Sequence, residues 1–164
     1  MSTYGLEPAD AAARASGFVI LATLARPLGG ILADRWGGAR ILNAVFVLVA
    51  GFAVLLAFGP GIGVSTLGFL GSACMLGLGN GAVFQLVAVH FPREAGVVTG
   101  LVGAAGGLGG FFPPLLMGFV RDVTGAYSIG FMLLSEFGLV CLLVNVLVLQ
   151  QRARLLMPPS GRAA

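Results

Sequence analysis

Charged positions are so sparse along this chain that the gaps between them define its elements. Residues 41–92 and 95–120 contain no Asp, Glu, Lys or Arg. Residues 15–33 hold only Arg26, and residues 123–151 only Glu136. A helix needs about 20 apolar residues to cross the roughly 30 Å hydrocarbon core of a bilayer. At about 1.5 Å per residue, the run 95–120 alone extends about 39 Å. The string GPGIG (Gly59–Gly63) interrupts the longest run near its middle and predicts a tight turn between two spans. Five spans follow, near 11–34, 40–58, 65–90, 95–119 and 127–150. The fold class they predict is an all-α membrane protein with a membrane domain over residues 11–150.

Composition supports that pattern and removes other classes. Apolar residues make up 58% of the 164, charged residues 9%, and the mean hydropathy is +1.03. So few charges could not keep the surface of a soluble globule solvated. Disordered chains are poor in apolar residues, and the 27 glycines have no collagen-like period. The opening residues MSTYGLEPAD lack a secretory signal, whereas Pro8 and Asp10 suit the first turn of a helix. There are no lysines, so arginines set the orientation. Arg35, Arg40, Arg93, Arg152, Arg154 and Arg162 fall on one side of a zigzag path, and only Arg14 and Arg121 on the other. Positive-inside then predicts a cytoplasmic tail (151–164) and an extracytoplasmic segment (1–10). The net charge of +3 is a topology signal, with no basic patch large enough for nucleic acid. Cys74, Cys141 and His90 are too few and too scattered for a metal site, and no nucleophile set or phosphate loop occurs. Neither a cofactor nor an enzymatic activity is expected.

The polar residues inside the spans carry the functional signal. Arg26 lies about 12 Å, eight residues, from the Asp34–Arg35 pair, and mid-helix arginine costs about 2.5–3.5 kcal/mol to insert. Its planar fork suits bidentate contact with a small oxyanion, while the structural alternative is snorkelling or pairing with Glu136. Pro27 frees the Thr23 carbonyl beside it. In the fourth span Gly96, Gly100, Gly103, Gly107 and Gly110 are spaced 4, 3, 4 and 3, with Gly106 and Gly109 beside them. They form a bare stripe on one face, open either to another helix or to a solute passing against backbone. The paired prolines Pro113 and Pro114 permit a bend where the stripe ends. In the third span Asn80, within Gly77–Gly81, and then Gln85 must find helix or substrate partners. Glu136 reads as a proton carrier or as a lone acid facing a helix partner.

Three strings then point to a family. Gly30-Ile31-Leu32-Ala33-Asp34-Arg35-Trp36-Gly37-Gly38-Ala39-Arg40 resembles the GxLaDRxGxxR loop of the major facilitator superfamily. AGVVTGLVGAAGGLGGFFPP (95–114) resembles the glycine-rich signature of that superfamily's nitrate/nitrite porters, as do LARPLGGILADRWGG (24–38) and GLGNGAVFQLVAVHFPREAG (77–96). The order of the motifs aligns the five spans with the eighth to twelfth spans of family porters. The resemblance implies a bacterial inner-membrane protein, embedded in lipid, that moves nitrate or nitrite by alternating access. It implies substrate contact at Arg26, at the backbone of Gly103, Gly106 and Gly107, and at Asn80. Structural motif positions are Gly30, Asp34, Arg35, Gly37, Arg40, Gly96, Gly100 and Gly110. Arg26 and the glycine stripe are expected to stand opposite one another across the substrate.

Family porters have twelve spans and pair two arginines, one from each half. The resemblance therefore implies that the first seven spans are missing, through a truncated gene, a displaced start or a split gene whose other product is the partner. Transport by this chain alone is not expected. Two other readings stand beside that one: a non-transporting helix bundle or pseudogene product, and a carrier of another small anion such as formate or oxalate.

Overall fold

The computed structural model describes residues 7–125 and 127–156, the side chains of 114 and 149–156 excepted. The first six residues and 157–164, with Arg162, lie outside the described residues, as do the side chains of Arg152, Arg154 and Pro114. Five long helices account for nearly all of it: α1 (Pro8–Trp36), α2 (Gly38–Ala57), α3 (Ile62–His90), α4 (Ala95–Thr124) and α5 (Ser128–Leu156). Each contains a stretch long and apolar enough to cross a membrane, and no strand occurs among the described residues.

The joints are short and their residues explain why. Gly37 is the only residue between α1 and α2, at φ +89°, a conformation that costs other L residues about 1–2 kcal/mol. Its N–H donates to the Ala33 carbonyl at 2.8 Å, and its own carbonyl accepts from Arg40 N–H at 3.1 Å. The α2–α3 turn uses Gly59 at φ +61°, and Ser65 Oγ donates to the Pro60 carbonyl at 2.9 Å. Gly125, left-handed at φ +73°, closes α4, donating to the Arg121 carbonyl at 2.7 Å. The Arg121 guanidinium sits 5.2 Å from the centre of the Tyr127 ring, bracing the α4–α5 joint. Pro113 and Pro114 neither unwind nor end α4, which stays helical through both.

Packing order differs from chain order. α1 lies chiefly against α3, α2 lies between α3 and α5, and α4 touches only α5 and α3. A small-residue core forms where α1, α2 and α3 converge, at Ala33, Leu42 and Ala82, with Phe46 and Leu86 packed around it. Between α2 and α5, Asn145 Nδ2 donates to Asn43 Oδ1 at 2.8 Å and to the Ala39 carbonyl at 3.0 Å. Higher on the same seam Ser135 Oγ donates to the Ala50 carbonyl at 3.2 Å. The outer faces are apolar and open, as a membrane solvent permits.

Candidate functional site

Arg26 sits ten residues before the end of α1, on the flank of the face that α1 turns toward α3. Ala25 and Gly29, its neighbours on that face, are buried, whereas Arg26 is exposed. Its guanidinium makes no hydrogen bond or ion pair among the described residues. Glu136 does not neutralise it: that carboxylate is exposed on α5, on the side away from Ser135 and Gly138, which pack on α2. The pairing considered from sequence is therefore not formed, and the fork of donors stays open.

The local backbone has a defined weakness. Pro27 has no N–H to give the Thr23 carbonyl, and the Thr23 hydroxyl donates to Val19 at 2.8 Å. Support comes from α3. A Cβ on Gly81 would fall on the Arg26 carbonyl, and 2.7 Å from the Gly30 nitrogen. A Cβ on Gly77 would fall on the Ala22 carbonyl, and one on Gly29 on the Leu78 carbonyl. A Cα hydrogen thus points at a carbonyl of the other helix at each of the three positions, the close approach that small residues allow in membranes. Gly77 and Gly81 drew no role in the sequence reading, although their spacing of four, matched by Ala25 and Gly29 on α1, carries the small-xxx-small signal.

The other expected site residues are distributed as follows. Asn80 is half-buried beside Gly81, and its Oδ1 is buried with no hydrogen-bond partner among the described residues. Gln85 Oε1 is likewise unpartnered, against Gly38 at the start of α2. Gly103, Gly106 and Gly107 are exposed, and nothing lies within 4 Å of where a Cβ would stand on them. The same holds for Gly96, Gly100, Gly109 and Gly110, so the stripe packs against no helix among the described residues. Among the described residues α1 and α4 make no direct contact. Gly30 is half-buried against α3, while Asp34, Arg35 and Arg40 are exposed around the Gly37 turn.

Two cavities lie elsewhere. One of about 780 Å³ opens between the first turns of α1 and α3, where Arg14 donates to Thr66 beside Phe18 and Phe69. It lies about 18 Å along α1 from Arg26, at about 1.5 Å per residue. The other, about 570 Å³, is an apolar gap between α4 and α5 lined by Phe112, Met117 and Phe137. Among the described residues no three His, Cys, Asp or Glu side chains gather as metal ligands.

Comparison with known proteins adds a family and its relatives. The chain is 50% identical over 136 residues to a nitrite extrusion protein of Bacillus subtilis (strain 168), covering 83% of the chain and 34% of that protein. It is 40% identical over 138 residues to a protein named "Probable nitrate transporter NarT" in Staphylococcus haemolyticus, covering 84% of the chain and 36% of the relative. A protein of the same name in Staphylococcus aureus (strain JH9) matches at 40% over 139 residues, 85% of the chain and 36% of the relative. The chain thus spans about a third of the length of the curated relatives it matches. The family model of the Major Facilitator Superfamily matches residues 1–164. With five helices long and apolar enough to cross a membrane, a glycine turn in the DRWGG loop and that match over every residue, the chain belongs to the major facilitator superfamily.

Proposed function

We propose that this chain supplies one wall of a pathway that carries nitrate or nitrite across the bacterial cytoplasmic membrane by alternating access. The observation that carries the reading is Arg26: a guanidinium about two thirds of the way along a spanning helix, open and unpaired among the described residues. Hydrocarbon does not tolerate such a group without compensation, and a small planar oxyanion compensates it bidentately. In a low-dielectric cavity that charge-assisted contact is strong enough to draw the anion from water. The names of the relatives favour nitrate and nitrite over formate or oxalate.

Asn80, beside Gly81 on α3, and the bare backbone of Gly103, Gly106 and Gly107 complete the wall in this reading. Asn80 supplies its amide N–H₂ to the anion. The stripe, with Gly96, Gly100 and Gly110, lies against a part of the transporter that this chain does not provide, consistent with its covering a third of its relatives. A seven-span partner portion would bring the opposing cation and gate, so the chain alone carries no flux. The C-terminal end faces the cytoplasm. Glu136, exposed on another helix, has no place in this anion contact, which fits exchange of nitrate for nitrite without a proton carrier.

Chemical modification of arginine tests the reading in the intact chain. Phenylglyoxal, applied to the protein in liposomes, modifies reachable guanidinium groups that mass spectrometry can assign. Nitrate and nitrite are expected to slow modification of Arg26 but not of Arg93 or Arg121, with formate less effective. Equal modification of Arg26 with and without nitrate would overturn the anion-site reading.

A further inference from the structure

We infer that Gly77 and Gly81 of α3 are positioning residues for Arg26, fixing where its guanidinium stands in the bilayer; the inference rests on the anion-site reading above. In an α-helix each N–H donates to the carbonyl four residues back. The Arg26 N–H therefore belongs to the Ala22 carbonyl, and the Arg26 carbonyl to the Gly30 N–H. Gly77 presses on the first of these carbonyls, and Gly81 on the second together with the Gly30 nitrogen. Both backbone ends of Arg26 are thus seated on α3, at two glycines one turn apart.

Such a seat is needed because α1 is weakest there. Pro27 removes the donor to the Thr23 carbonyl, and the Thr23 hydroxyl adds a second donor on the Val19 carbonyl one turn earlier. Left to its own ladder, α1 could bend or twist beside the arginine. Contact with α3 removes that freedom, and the reciprocal seat of Gly29 on the Leu78 carbonyl prevents sliding along the seam. Bidentate recognition by a rigid fork loses strength with small misplacements, so a helix displaced by one methyl group matters at the anion. The surrounding residues are small for the same reason: Ala25 is 2% exposed and Ala73 fully buried on this seam.

The test measures the nitrate concentration that half-protects Arg26 from phenylglyoxal, in the full chain in liposomes, for Gly77→Ala, Gly81→Ala and Gly51→Ala. A Cβ at Gly51 meets nothing within 4 Å, so that variant controls for glycine loss as such. Half-protection is expected to move up about tenfold in Gly77→Ala and Gly81→Ala, the effect of weakening one charge-assisted hydrogen bond, and to stay put in Gly51→Ala. A purely structural role would slow or speed modification at Arg93 and Arg121 as well, and these rates are expected to hold. Ala25→Gly loosens the seat without any collision, so it reports even where the larger residues prevent folding; about a threefold rise is expected, a smaller loss on the same scale. Nitrate protection in the unsubstituted chain with identical half-protection in every folded variant would overturn the positioning role and leave the anion site standing. No protection in the unsubstituted chain would overturn the site itself.

Discussion

An amide carried into hydrocarbon must find hydrogen-bond partners, and Asn145 finds two. Its bonds to Asn43 and to the Ala39 carbonyl hold the C-terminal half of α5 against the start of α2. Asn145→Leu should destabilise the bundle by about 0.6–2 kcal/mol, the range for interhelical polar contacts in membranes. Unfolding in mixed micelles by added dodecyl sulfate measures that loss; unaltered unfolding would show the bonds to be dispensable. Gly37→Ala should cost about 1–2 kcal/mol in the same assay, because φ +89° forces a Cβ into the carbonyl beside it. Arg26 was legible in the sequence because a charge amid 18 uncharged residues declares its own cost. Asn43 and Asn145 were not, since a stretch of sequence says that an amide needs a partner and not which of the other helices brings one.

Between helices, two kinds of contact divide the molecule. α1 and α3 meet backbone to backbone through glycine and alanine, and α2 joins α5 by side-chain hydrogen bonds. α4 has neither. Most of its apolar residues stand free, Leu101 at 70% and Leu108 at 64% exposure, whereas Val120 is buried. A lipid-soluble carbene reagent should therefore label Leu101 and Leu108 of the reconstituted chain heavily, and leave Ala73 and Ala82 of α3 untouched. Equal labelling of the α3 alanines would mean that the seam with α1 does not close. Helix number was legible because hydrocarbon thickness dictates how long an uncharged run must be. Helix partnership was not. The glycine stripe of α4 carries the louder small-residue pattern, seven glycines over about four turns, and stays bare, whereas the quieter pair Gly77 and Gly81 makes the tight contact. A stripe records how closely a neighbour can come, and only the fold determines which neighbour does.

At the scale of the whole molecule, this chain presents an arginine and a glycine ridge that its own helices leave uncovered, and it matches about a third of relatives named for nitrite extrusion and nitrate transport. Those facts fit a half-built cavity wall better than a self-contained bundle, whose costly residues would be paired internally. The most direct measurement is nitrate flux into liposomes by a chimera in which this chain replaces the matching third of the Bacillus subtilis nitrite extrusion protein. The account predicts flux by the chimera, none by this chain alone, and a fall of about a hundredfold on Arg26→Ala, as loss of a charge-assisted anion contact worth nearly 3 kcal/mol requires. A chimera whose nitrate flux is indifferent to Arg26→Ala would contradict it.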